Sequence, residues 1–200
     1  MHNYYFFSCL FITSFFTFSQ NVNIDQKVFL ITLDGLRWQE LFTGADSLLI
    51  KNKNYVKNSE ELYKWAWREK PNDRRLKLMP FIWEKVSEIG QIYGNRNLGN
   101  KVNLSNRMWF SYPGYNEILT GRADDKNITS NDKIPNPNQT VLEQFAKTYN
   151  PFKVGAFGSW DVFDYIINQE RSSVYTNCGF EKSNDLPLSS KEILLNELQS

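Results

Sequence analysis

"KVFLITLDG", residues 27–35, is an unbroken apolar run containing the β-branched residues Val28, Ile31 and Thr32, stopped by Asp34-Gly35. A run of this length and composition suits a strand buried on both faces, as in a parallel sheet. The Asp-Gly pair lets the backbone turn sharply where the strand ends. Working outward, "KVGAFGSW" (153–160) predicts a second buried strand and "QIYGN" (91–95) a short one. Helical spacing lies between and around them. It marks residues 36–42, closed by Gly44, residues 59–69, and residues 76–89 with Met79, Ile82, Trp83, Val86 and Ile89 on one face. Further helices are predicted over 113–120 (closed by Gly121), 140–149, 161–170 (capped by Asp161) and 188–200 (capped by serines). Residues 122–138 form a polar loop. Alternation of strands and helices predicts an α/β fold, a mostly parallel sheet with helices on both faces. The last amphipathic run stops without a closing Gly, Pro or polar tail. The expectation is therefore an incomplete domain whose isolated form exposes a sheet edge.

Two hundred residues fit one domain with a substantial core, and 41% apolar and 22% charged content are ordinary for a globular chain. The net charge is +1, and basic residues alternate with acids, as in "WREKPNDRRLK" (67–77). No stripe for nucleic acid is present, and none is expected as a partner. Residues 4–18 form an uncharged apolar run, shorter than the roughly 20 residues of a spanning helix. With small residues Thr17 and Ser19 before Gln20, this reads as a signal peptide over 1–19 and a mature chain over 20–200. The start "MHN" lacks the usual positive charge, which leaves an uncleaved anchor as the alternative. A cleaved signal implies an exported, periplasmic or extracellular protein with no stable membrane partner. Cys9 would be lost on cleavage, so Cys178 stands alone, without an intrachain disulfide and as a small buried hydrophobe.

Two residues carry chemistry. Asp34 ends a predicted strand, where ligands gather in open α/β sheets, and its carboxylate suits a divalent cation. The plain alternative is a turn or a helix cap. Ser111 stands in "NRMWFSYPGYNEILTGRADD" (106–125) at the mouth of a predicted helix. It is either an N-cap or a nucleophile, and a nucleophile needs a metal or base to take its proton. A helix N-terminus would also favour an incoming anionic group.

Together, "VFLITLDGLRWQELFTGAD" (28–46) and "FSYPGYNEILTG" (110–121) resemble the N-terminal half of the alkaline phosphatase superfamily, in its type I phosphodiesterase and nucleotide pyrophosphatase branch. The resemblance spans roughly residues 27–160. It implies that Asp34 is a zinc ligand and that Ser111 is a metal-bound nucleophile. Tyr112-Pro113 matches the family's aromatic-Pro step, and Leu119-Thr120-Gly121 its helix end. It implies two zinc ions, a small phosphate-ester substrate, a covalent phosphoseryl intermediate and hydrolysis by zinc-bound hydroxide. A phosphate-binding Asn lies about twenty residues beyond the nucleophile in this family, and Asn131 falls near that offset; in so Asn-rich a tract the plainer reading is a loop residue.

The departures are specific. Gly114-Tyr115 replaces the Asn-His that commonly follows the Pro. Tyr115 also stands where the sulfatase branch places Arg, which argues for an unmodified serine. The family completes its metal site with later His and Asp ligands, whereas the single histidine here is His2. Asp124, Asp125, Asp161 and Asp164 have simpler explanations as caps or solvated loop residues. The expectation is an N-terminal portion of a metal-dependent phosphoric ester hydrolase, inactive as this fragment. The alternative is an exported α/β binding or interaction protein without metal.

Overall fold

A computed structural model of the chain describes residues 27–148, 153–183 and 187–199. The expected signal segment, with His2 and Cys9, lies outside the described residues. The chain divides into two units, Met1–Ile31 and Thr32–Ser200. Everything from α1 onward belongs to the second.

The first helices are short and set by their ends. Helix α1 (Trp38–Thr43) closes at Gly44, whose φ is 76°. A Cβ on Gly44 would lie 2.4 Å from the Arg74 backbone, so glycine is required there by conformation and by space. Helix α2 (Ser47–Lys51) is capped by Asp46, which accepts from the Leu48 and Leu49 N–H groups at 2.8 and 3.4 Å. Helix α3 (Ser59–Ala66) carries acids in its first turn and Lys64 in its last, the arrangement the helix dipole favours. Helix α4 (Pro71–Leu78) opens on a proline, where the missing N–H costs nothing. Arg74 ties these pieces together. It donates to the carbonyls of Thr43, Arg68 and Glu69 at 2.9–3.1 Å and lies over the Trp67 ring. Ala45, Ile50 and Ala66 are buried beneath, with Leu62 and Tyr63 packed against them.

The larger core lies later in the chain. Helix α6 (Ser111–Thr120) ends at Gly121 with φ 74°, ψ 9°, the left-handed geometry of a helix C-terminus. It buries Tyr112, Tyr115 and Leu119 against Ile128, Val162, Ile166, Ile167 and Val174. Full burial of each such aliphatic side chain contributes about 1.5–3 kcal/mol. Helix α7 (Val141–Thr148) precedes strand β1 (Gly155–Gly158). Helices α8 (Phe163–Ile167) and α9 (Gln169–Ser172) then cross over to strand β2 (Tyr175–Cys178). The strands pair in parallel, from Gly155 opposite Tyr175 to Gly158 opposite Cys178. A parallel pair needs such a crossover, and helices supply it here. Helix α10 (Ser190–Gln199) begins with a reciprocal cap: Ser189 N–H donates to Glu192 and the Glu192 N–H to Ser189 Oγ. The molecule is thus α/β, helix-rich, with a small two-stranded parallel sheet among the described residues.

Several expectations are corrected. Residues 27–33 form no strand. They carry no sheet hydrogen bonds, and Val28 and Ile31 are 94% and 80% exposed. An apolar run becomes a buried strand only beside a paired neighbour, and β1 and β2 pair with each other. Residues 91–95 are also irregular, passing through Gly94 at φ 97°. The helix expected over 76–89 is broken at Met79, whose φ of −135° reflects the following Pro80, and resumes as a π-helical turn Ile82–Val86 and a short α5 (Ser87–Ile89). The helix over 161–170 is interrupted by Asn168 in the left-handed region. Asp161 is not its cap, since it instead pairs with Lys133 at 2.6 Å. Strand β1 is half-buried on one face and exposed on the other, with Phe157 turned outward against the Tyr175 ring. Cys178 is free and fully buried.

Candidate functional site

An open cleft of about 890 Å³ is lined by both Asp34 and Ser111. Arg96, Asn103, Asn106 and Tyr115 line it as well, together with a rim of Leu33, Val102, Leu104, Trp109, Phe110 and Ile118. The two residues singled out by the sequence therefore share one concavity. Asp34 arrives on the turn after 27–33, at Gly35 with φ 74°. Ser111 arrives at the start of α6.

Ser111 is not the N-cap. That position belongs to Phe110, with extended φ −114°, ψ 158° and a side chain that caps nothing. Ser111 is the first helical residue, so its hydroxyl is free of capping duty and has no hydrogen-bond partner among the described residues. The four leading N–H groups of a helix lack internal acceptors. Here Tyr112 N–H is taken by Asn131 Oδ1 at 2.9 Å, Pro113 has none, and Gly114 N–H bonds the Phe110 carbonyl at 3.3 Å. Of the helical residues' N–H groups at this end, that of Ser111 is left without an acceptor among the described residues, as is the Phe110 N–H before it. Asn131 does not line the cleft itself; it stands behind the helix mouth, attached to the residue next to Ser111.

The rest of α6 is held by buried polar groups, two of them, Asn136 and Asn138, in the 122–138 loop. Tyr112 is buried and its hydroxyl donates to the Ile134 carbonyl at 2.7 Å. Burial raises its pKa, against a smaller lowering by Arg171. Asn116 Oδ1 accepts from both Asn136 and Asn138 at 3.2 Å, and Asn138 donates on to Asp124 at 2.8 Å. Arg171 grips Glu143 through Nε and Nη2, and also donates to the carbonyls of Asn136 and Asn138 at 2.7 Å. Arg171 holds the Glu143 carboxyl below its usual range; burial opposes this and Lys147 adds to it. A tract rich in Asn reads as loop because Asn favours turns. Nothing local marks which of these amides will be buried and paired.

Glu117, one turn and a half beyond Ser111, fixes the approach to the helix. It accepts from Ser105 N–H and Oγ at 2.6 and 2.7 Å and from Asn106 N–H and Nδ2 at 2.9 and 3.0 Å. Burial pushes its pKa up, but these four bonds prevail and bring it down to about 2. The chain then passes through Trp109 at φ 56°, a left-handed geometry rare for a large side chain. Trp109 is 94% exposed and Phe110 half exposed, whereas Tyr112 and Tyr115 are buried. Of the four aromatics around Ser111, two therefore pack into the core and two stand at the cleft rim.

The two residues that the resemblance implies for zinc, Asp34 and Ser111, line the same cleft. Among the described residues no group of three or more His, Cys, Asp or Glu is placed to hold a metal ion. Asp34 and Ser111 would supply two ligands to an ion that takes four. Asp124 is occupied by Asn127 and Asn138, Asp125 accepts from the Arg107 N–H, and Asp161 is bound to Lys133. Cys178 is no alternative, because burial raises its thiol pKa to about 12, with the Asp164 carboxylate adding to the effect. No family model, curated protein or solved structure matches this chain, so the reading of the cleft rests on its own residues.

Proposed function

We propose that the cleft is the nucleophile-bearing part of a phosphoric ester hydrolase, with Ser111 attacking phosphorus and Asp34 as a single metal ligand. The observation that carries this reading is the shared cleft, in which an uncapped, unpaired serine hydroxyl faces the same space as the Asp34 carboxylate. In the proposed step the Ser111 Oγ–P bond forms as the P–O bond to the leaving alcohol breaks, and the Ser111 proton ends on the departing oxygen. The free Ser111 N–H would donate to a phosphoryl oxygen, as N–H groups at helix N-termini commonly do. Asn131 would act by holding the helix mouth in shape, not by touching the ester. Turnover with the two zinc ions of the resembled family requires ligands that the described residues do not bring together.

The same proposal extends to fold and location. The wider parallel sheet with helices on both faces belongs to the same reading, built around the β1–β2 pair. Export would follow from residues 1–19, and among the described residues no helix is long and apolar enough to cross a membrane.

One observation favours the second reading, a metal-free binding protein. A serine nucleophile normally has a base within hydrogen-bond reach, and none of the described residues bonds Ser111 Oγ. One experiment separates the two. The full chain is incubated with bis-p-nitrophenyl phosphate, with and without added zinc, and followed by p-nitrophenolate release and intact mass. Release of one equivalent with a matching phosphoryl adduct at Ser111, absent in Ser111→Ala, supports the hydrolase. Release that persists in full in Ser111→Ala overturns the nucleophile assignment. Protection of the cleft by the ester without any release favours the binding protein.

A further inference from the structure

We propose that Arg96, with Asn103, forms an anion subsite in the Ser111 cleft that takes a second negatively charged group of the substrate. The inference rests on the phosphate-ester reading above and adds a substrate class to it: esters with a second anionic group near the scissile phosphate.

The arginines of the described chain are not alike. Arg37 is engaged by Glu40 and Asp46, and Arg171 by Glu143. Arg96 has no carboxylate partner among the described residues. Its Nη2 donates to Asn103 Oδ1 at 2.5 Å, and its guanidinium lies 5.9 Å from the Trp38 ring centroid. It is therefore propped from two sides by neutral groups. An Arg fork carries five donors, and Asn103 takes one of them. Because Oδ1 is the atom that accepts, the Asn103 amide keeps its own N–H groups available. Both residues line the cleft with Ser111, whose N–H is also unclaimed. Among the described residues Asp34 is the one carboxylate in that lining and Arg96 the one cation. The cleft thus has a side suited to a cation and a side suited to an anion, with the serine in the same wall. A planar fork that is free of internal ion pairs suits the bidentate geometry of a phosphoryl group.

The test uses the full chain and two probes, inorganic phosphate and inorganic pyrophosphate, with Kd measured calorimetrically at low salt and again at 0.5 M salt. Wild type is expected to bind pyrophosphate about tenfold more tightly than phosphate, and Arg96→Gln to lose most of that ratio, in keeping with one exposed charge-assisted contact. Arg96→Lys should keep part of it, since the charge remains and the fork does not. Lys101→Gln, an exposed cation outside the cleft lining, should leave the ratio unchanged. High salt should narrow the ratio in wild type. Unchanged preference in Arg96→Gln, equal loss in Lys101→Gln, or no binding of either probe overturns the proposal. Thermal unfolding of each variant shows that the fold is intact. Failure of the nucleophile reading would show as hydrolysis that survives Ser111→Ala, and this binding ratio does not depend on that outcome.

Discussion

Asn131 Oδ1 accepts the backbone N–H of Tyr112 at 2.9 Å, so a loop residue caps the helix that presents Ser111, from outside the helix's own sequence. The bond satisfies a donor that neither Phe110 nor Pro113 can serve and leaves the Ser111 N–H facing the cleft. Asn131→Ala should destabilise the protein by about 1 kcal/mol, the usual cost of losing a side-chain cap. Asn131→Asp should restore most of that, since a carboxylate accepts the same N–H and favours the positive helix end. Denaturant unfolding of the three proteins checks this; an Asn131→Ala midpoint equal to wild type would show the bond to be idle.

The buried charge of Glu143 is a second structural commitment. Its side chain is 2% exposed and is held by Arg171 at 2.7 Å and Lys147 at 2.6 Å. Removing one partner of a buried pair commonly costs about 3–5 kcal/mol. Arg171 is itself 34% exposed and Lys147 would remain, so Arg171→Met should cost about 2–3 kcal/mol. The loss should also reach the Asn136 and Asn138 carbonyls that Arg171 serves, visible as faster amide exchange around Asn116 and Asn138. A loss under 0.5 kcal/mol would mean that water replaces Arg171 without cost.

These two cases show what was legible in the sequence. The α6 helix, its end at Gly121, the α1 stop at Gly44 and the Ser189 cap were readable because each depends on residues within one turn. Asp34 and Ser111 were readable as a pair through their motifs, and they do share a cleft. The tract 122–138 is the polar loop its composition predicts, yet Asn136 within it is fully buried. Burial there is decided by Arg171 and by α6, which no local window contains. The strand over 27–33 failed for the same reason, because a strand needs a partner and its own residues do not specify one. Arg96 carried no motif. It stands out only once the carboxylates are seen to be engaged elsewhere.

Glu117 predicts an acid response. Its folded pKa, about 2, lies below the roughly 4.3 of an unfolded Glu. Between those values the unfolded chain binds more protons, so stability rises with pH across the window. The contribution is complete above about pH 5 and is lost as pH falls toward 2. Glu117→Gln should therefore have a shallower stability profile than wild type between pH 5 and 2, and the two curves should run parallel above pH 6. The comparison removes the other lowered carboxyls, Asp46, Asp124, Glu143 and Glu192, which both proteins share. Identical slopes in the acid limb would show that the bonds from Ser105 and Asn106 do not persist in solution.

Trp109 supplies the last test, because its conformation and its exposure point in the same direction. Its φ of 56° places a bulky side chain in a region that costs about 1–2 kcal/mol for a residue with a Cβ. The indole is 94% exposed, so little burial offsets that cost. Trp109→Gly should remove the strain and return part of the gain through greater unfolded-chain entropy, for a net stabilisation of about 0.5 kcal/mol. Trp109→Ala keeps a Cβ and should match wild type. Strain of this kind persists where the surroundings enforce it, often beside a ligand site. If the strained turn serves the cleft, Trp109→Gly should gain stability while weakening bis-p-nitrophenyl phosphate binding, and Trp109→Ala should weaken binding without the gain. A Trp109→Gly protein less stable than wild type would instead mean that the indole packs against a surface in solution.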